Sequence, residues 1–265
     1  MKAARPGTRQ KGFTLLELLI AATVFLVVAG AAFTLLGIAQ QRYQTDSRIL
    51  SSFQEARLGL DQIVRDVNDS GYPPQNHFFP LPAANLYAST PFAWSAGYPG
   101  APWIIASTCT SPGAGDLIVE TDIDPQNNNG VEWVRYQLPA GTTMLLRGVV
   151  SKAVGMDPVA ATSAAMIPYV QNVMNNASAA QIATIRAAYP TMFPGGVPVP
   201  LFAYTCQTGG GTPLSCPTAG AFNTPVNILD VEITVIVQAT ASDAQTGLPR
   251  LVELHGRGHR VNPNQ

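Results

Sequence analysis

The residues able to do chemistry are few and mostly out of one another's reach. His255 and His259 flank Gly-Arg-Gly. On a strand, two histidines four apart share a face but sit about 13 Å apart, too far to hold one metal ion. Asp122, Asp124 and Asn127–Asn129 precede Gly130 and offer the oxygens that calcium takes. Their spacing departs from the EF-hand pattern, however, and a polar hairpin turn has the same composition, so both readings stay open. Gly209-Gly210-Gly211 lacks the lysine of a phosphate cradle, and no G-x-S-x-G nucleophile turn occurs. The expectation is a chain with no catalytic residue, no metal and no cofactor. Two features remain. Cys206 and Cys216 bracket a glycine-rich loop and are expected to form a disulfide, since a bridge there closes a short loop in an oxidising compartment. Cys109 is then free or paired elsewhere. The other feature is Glu17, the single ionisable side chain in the 27 residues Phe13–Ala39.

The elements that must hold these residues divide the chain in two. Residues 1–12 carry Lys2, Arg5, Arg9 and Lys11 and no acid. The apolar run that follows spans about 40 Å as a helix, enough to cross a hydrocarbon core of roughly 30 Å. Four basic residues and no acid ahead of it, against Arg42 and Arg48 mixed with Asp46 after it, place the amino terminus in the cytoplasm. The run is too long for the core of an ordinary secretory signal. Beyond it Ile49, Phe53, Ala56, Leu60, Ile63 and Val67 are spaced as one stripe of an amphipathic helix. Arg57, Asp61, Arg65 and Asp69 repeat every four residues with alternating sign. They read as a solvated face whose pairs each add about 0.2–0.5 kcal/mol. Gly71 and Pro73 stop the helix, which is expected to run from Phe13 to about Ser70, roughly 87 Å by rise per residue.

From Pro74 on, apolar residues alternate. Asp116–Thr121, Val131–Leu138, Met144–Val150, Ile228–Ala239 and Arg250–Val261 read as strands, with 200–206 a shorter candidate. In 228–239 the residues Leu229, Val231, Ile233, Val235 and Val237 are expected to face the core. Residues 169–175 and 179–188 read as helices or loops. Antiparallel strands with one face covered by the long helix make an α+β domain.

Composition agrees. Charged residues are 12% of the 265 and the formal net charge is −1, against roughly 25% charged in an average soluble protein. Without a basic surplus, no nucleic-acid partner is expected. Of the 22 prolines, 21 lie from Pro73 onward, as suits a loop-rich β domain behind an unbroken helix. No Asp, Glu, Lys or Arg occurs from Ser70 to Gly115, a stretch holding Phe78, Phe79, Tyr87, Phe92, Trp94, Tyr98 and Trp103. It is either a loop packed on the domain or a surface that contacts another subunit.

The run Lys11-Gly12-Phe13-Thr14-Leu15-Leu16-Glu17-Leu18-Leu19-Ile20 resembles the signature of type IV pilins and the related pseudopilins. In that family a basic leader ends in Gly, the mature chain starts with a methylatable Phe, and its fifth residue is Glu. The resemblance implies a long helix packed on an antiparallel sheet. It implies cleavage by a prepilin peptidase between Gly12 and Phe13, with methylation of the new Phe13 amine. It implies that Glu17 meets the Phe13 amine of a neighbouring subunit when copies stack with an axial offset. An unpaired buried acid is costly and a paired one is compensated, so Glu17 would reward one stagger over others. Partners would be other pilin subunits, the peptidase, the inner-membrane assembly platform and membrane lipid. The protein would be a single-pass inner-membrane protein with its C-terminal domain outside, later part of a surface filament.

One departure is Thr34, near where many major pilins have a proline. Gly30 and Gly37 could supply looseness there instead. The stretch from Gln54-Glu55-Ala56-Arg57 to Arg65-Asp66 and Ser70-Gly71-Tyr72 further resembles minor pilins of the PilW type. The expected organisation is a leader over 1–12, a helix over 13–72 (membrane part 13–39, amphipathic part 40–70) and a β-rich domain over 73–265. The expected role is a non-catalytic minor pilin that helps prime pilus assembly. The alternatives are a J-like pseudopilin of type II secretion, or an anchored enzyme or binding domain that borrows a pilin-like anchor.

Overall fold

The computed structural model describes residues 12–93, 114–127, 130–153, 155–207, 213–215, 227–242 and 247–261. The chain separates into two compact units, Met1–Ser47 and Arg48–Gln265. One helix, α1 (Leu15–Asn68), passes from the first into the second.

Within the first unit the helix exposes nearly every side chain, including Leu18, Phe25, Val27, Phe33 and Leu36. An all-round apolar surface is what a lipid-facing helix presents. α1 is the one helix among the described residues long and apolar enough to cross a membrane, by length and composition. Gly30 and Gly37 do not interrupt it. Thr34 donates its hydroxyl to the Gly30 carbonyl at 2.9 Å, so where a proline would break the ladder this residue satisfies itself within it.

In the second unit the stripe is buried as expected: Ile49, Ala56, Leu60, Ile63 and Val67 are each at most 5% exposed, and Phe53 is half-buried. The helix stops two residues earlier than expected, at Asn68. Gly71 then takes φ +81°, a conformation glycine adopts without strain.

The β part is not the one sheet the alternation suggests but two, each antiparallel and four-stranded. The first is a meander, β1 (Asp116–Thr121), β2 (Glu132–Gln137), β3 (Leu145–Ser151) and β4 (Ile167–Val170), in that order. The second, with β5 (Phe202–Gln207), β6 (Pro213–Ser215), β7 (Ile228–Ser242) and β8 (Pro249–His259), runs β6-β5-β7-β8. Both contribute to one core. Leu117, Val119, Val134 and Tyr136 from the first sheet join Phe202, Val231, Ile233, Val235 and Val237 from the second around Ala56, Leu60, Ile63 and Val67 of α1.

Two helices cover the far faces. α2 (Pro158–Ser163) sets Val159 and Ala161 against Ile118 and Trp133. α3 (Ala179–Ala188) sets Ile182 against Ile236. Ile236, read from alternation as outward, is therefore fully buried, because α3 covers the face that period two assigns to solvent. Leu229, read as core-facing, is only half-buried. Of the two doubtful segments, 179–188 is the helix α3, opened by a Ser178–Gln181 capping box. The other is not helical: Val170 pairs with Leu145 in β4, and Val173 bridges to Val237 of the second sheet.

Glycines set how closely helix and strand approach. A Cβ on Gly256 of β8 would lie 2.8 Å from Leu60 Cδ1 and from Val64 Cγ2. One on Gly258 would run into Val67 of α1. The Gly-Arg-Gly between the histidines is thus an alternation, with glycines under the helix and His255, Arg257 and His259 exposed on the other face.

Candidate assembly site

The Gly12–Phe13 bond lies ahead of the helix, which begins at Leu15. Both residues are exposed, Phe13 at 90%, and nothing lies within 4 Å of where a Gly12 Cβ would stand. The bond is thus non-helical and uncovered, which leaves it open to a protease.

Glu17 is not idle in the single chain. Its Oε2 accepts from the Thr14 backbone N–H at 2.9 Å and from the Thr14 hydroxyl at 3.0 Å. The Glu17 N–H donates back to the Thr14 hydroxyl at 3.3 Å. This is a reciprocal capping box, which satisfies donors that a helix start leaves unpaired. Both Thr14 contacts fall on Oε2, and among the described residues no bond to Oε1 is seen. Reading Glu17 by its charge alone misses Thr14, although the signal, Thr-x-x-Glu before an apolar run, was present in the sequence.

In the second unit the buried polar groups serve as staples. Asp66 accepts from the Tyr136 hydroxyl at 2.6 Å, from Gln62 Nε2 at 2.6 Å and from Arg147 Nη2 at 3.3 Å, which ties α1 to β2 and β3. Burial above all, and then Asp66, pushes the Tyr136 phenol far up, so it stays a donor at any working pH. Lys152 Nζ lies 2.5 Å from Glu120 Oε1, with side chains 2% and 0% exposed. It also donates to the Tyr87 carbonyl and to Ser89, each at 2.8 Å. Burial draws the Lys152 amine below its ordinary value, and Glu120 offsets part of that. This cluster clamps the segment 87–89 onto the first sheet. These staples escaped sequence reasoning because their members lie up to 81 residues apart.

The surface face of β7 and β8 holds the histidines. His259 Nδ1 is 2.7 Å and Arg257 Nη2 2.8 Å from the Asp230 carboxylate, and His255 Nε2 is 3.4 Å from Glu253. The two histidines are engaged with different acids, and among the described residues no group of three His, Cys, Asp or Glu is placed to hold a metal ion. Near the end of α1 a cleft of about 420 Å³ is lined by Asp66, Asp69, Tyr72, Asp122 and Ile123. Asp122 accepts from the Asp124 N–H at 3.0 Å, and Asp124 is taken by Asn127. These oxygens close a turn on themselves. Asn128 and Asn129 lie outside the described residues.

Cys206, buried in β5, is disulfide-bonded. Cys216 and Cys109 lie outside the described residues, as do Trp94, Tyr98 and Trp103. Of the other aromatics in the uncharged stretch, Phe92 and Tyr87 are buried and Phe79 is fully exposed.

The ladder residues Arg57, Asp61, Arg65 and Asp69 are all exposed. None of their side chains forms an ion pair within 4 Å among the described residues, although consecutive members are one helical turn apart. The ladder is a solvated face, as expected, held without close ion pairs. Long exposed side chains gain little by pairing in water and lose rotamer freedom when they do.

Residues 7–36 match the family model of the prokaryotic N-terminal methylation motif. No curated protein matches the chain closely enough to count as a relative. Among solved structures, a type IV-like pilin from Thermus thermophilus is similar, at 12% identity and a TM-score of 0.41, over 80% of this chain and 96% of that one. So distant a likeness carries no argument about function.

Proposed function

We propose, on the premise that the N-terminal segment is that of the type IV pilin family, that this chain is a non-catalytic structural subunit of a pilus. More narrowly, we assign it as a minor pilin that helps prime assembly. The observation that carries the reading is the geometry around the leader junction: an exposed, non-helical Gly12–Phe13 bond followed by a helix-capping Glu17 with one carboxylate oxygen to spare. Hydrolysis after Gly12 by a prepilin peptidase leaves the apolar helix in place and frees the Phe13 amine, which in its neutral form takes a methyl group from an electrophilic methyl donor and is a cation once protonated. In a filament that amine reaches the Glu17 Oε1 of a neighbour while Thr14 keeps Oε2. Burial between helices makes the pairing strongly preferred over an unpaired acid.

On this reading residues 1–12 are the leader, 13–39 the membrane anchor and 40–70 the amphipathic part of the helix. The β-rich part, 73–265, lies outside the inner membrane and later on the cell surface. The apolar surface of α1 meets lipid before assembly and other pilins after it, and the assembly platform supplies the work. The disulfide of Cys206 closes on Cys216.

The test is the mass of the protein's N-terminal peptide, together with its presence in sheared surface filaments. A peptide beginning at methylated Phe13, from protein found in those filaments, is expected. An uncut chain in cells that hold the peptidase would overturn the reading. A processed chain found only with a secretion apparatus would turn it into a pseudopilin.

A further inference from the structure

The apolar run of α1 is longer than the layer it would cross, and the polar residues just past its end stand free. Phe13–Ala39 spans about 40 Å as a helix, against a hydrocarbon core of roughly 30 Å. The surplus of about 10 Å must emerge at one end or be taken up by tilt. Leu18–Ala39 alone spans about 33 Å and holds no Asp, Glu, Lys or Arg. It fills the core with Glu17 at one boundary and Gln40 at the other.

Arg42 and Tyr43 are exposed, Tyr43 at 77%, and neither side chain has a hydrogen bond or ion pair among the described residues. By rise per residue they stand about 4.5 and 6 Å past Ala39. The headgroup zone on each side of the core is about 5–8 Å deep, so both fall within it, whereas Asp46, at about 10.5 Å, clears it. An arginine at a helix end reaches toward headgroup phosphate while its stem covers apolar surface. Tyrosine favours the same depth, with its ring toward the acyl chains and its hydroxyl in water.

We propose that Arg42 and Tyr43 form the outer lipid contact of α1, Arg42 on a phospholipid phosphate and Tyr43 at the level of the headgroups. The inference rests on the membrane-anchor reading and goes beyond it by naming the residues that set the depth of the helix. With the outer end held there, the surplus emerges at the other face. Glu17 then stands at the boundary, where an ionised carboxylate costs less than at mid-bilayer, and Phe13 lies among the headgroups. The bond to be cut is thereby presented at the membrane surface instead of being drawn into the core.

The test uses the full-length chain in vesicles of phosphatidylethanolamine and phosphatidylglycerol, with a photoreactive benzoylphenylalanine in place of one residue at a time. From position 43 the protein is expected to gain the mass of a phospholipid on illumination. From position 47, about 12 Å past Ala39, it should gain none. Arg42→Glu should cut the yield from position 43 about fivefold, and Arg42→Lys should keep it. In cells that hold the peptidase, Arg42→Glu combined with Tyr43→Ser should be cut after Gly12 about fivefold more slowly than wild type. Equal yields from positions 43 and 47, or a doubly substituted chain cut as fast as wild type, would overturn the contact while leaving the anchor and filament readings intact. A chain that takes up no phospholipid even from position 25, inside the apolar run, would overturn the anchor reading and this contact with it.

Discussion

On the proposed reading Glu17 serves two partners with one carboxylate, Thr14 in its own chain and a neighbour's Phe13 amine, and the two can be separated. Glu17→Gln keeps a side-chain oxygen for the Thr14 N–H but loses the charge, whereas Glu17→Ala loses both. Both variants are expected to insert in the membrane and be cut at Phe13, and both to be missing from sheared filaments. Normal incorporation of Glu17→Gln would show that the local cap, and not the charge, is what assembly needs. Lys152 and Glu120 make a different residue-scale case. Glu120→Gln leaves a buried ammonium uncompensated, a change that costs about 3–5 kcal/mol, read as a fall in thermal midpoint of the full chain in detergent. Glu17 was legible in the sequence because an acid stands out in an apolar run. Lys152 and Glu120 were not, since nothing local distinguishes a buried charge from a solvated one until the fold brings them together.

At the scale of elements, contact between α1 and β8 depends on absent side chains. Gly258→Val is expected to destabilise by about 1–3 kcal/mol or more by forcing Val67 and the helix off the strand. Arg257→Ala leaves that packing untouched and removes only one of the two cations at Asp230, so it should lower the thermal midpoint less than Gly258→Val does. The β7–β8 face also sets an acid limit. Burial pushes the Asp230 carboxyl up, but hydrogen bonds from Arg257 and His259, with their charges, outweigh it and hold it below the usual value. Its contribution is therefore present above about 3.8 and lost as pH falls through the lower folded-state value. Burial raises Glu132 above 4.5 and Asp69 above 3.8, so in the window just above those values they act oppositely and stability falls as pH rises. Thermal midpoints across pH should pass through a maximum on acidification and then drop. Asp230→Asn should flatten the drop, and Glu132→Gln should blunt the rise. The stripe of α1 and strands β1, β2, β3, β7 and β8 were visible as periodicity. Residues 169–175 were not, because a short apolar stretch fits helix and strand alike and β-pairing across to β3 decided it.

At the scale of the whole molecule, the disulfide of Cys206 joins segments distant from the helix in sequence. Non-reducing peptide mapping is expected to recover Cys206 joined to Cys216, and a peptide joined to Cys109 would refute that pairing. What the amino-acid order determined by itself is what local spacing can encode: a basic N-terminal stretch, a methylation motif over residues 7–36, an apolar helix with one acid, an amphipathic continuation and alternating strands. Each depends on neighbours within a turn or two, so periodicity and residue type suffice. Only the tertiary structure decided that the strands form two sheets about one core and that α3 buries Ile236. It likewise decided that Asp66 is a staple while Asp69, three residues on, is exposed. Those outcomes turn on which distant surface covers which face, and a side chain's burial is set by whatever packs on it from elsewhere in the chain.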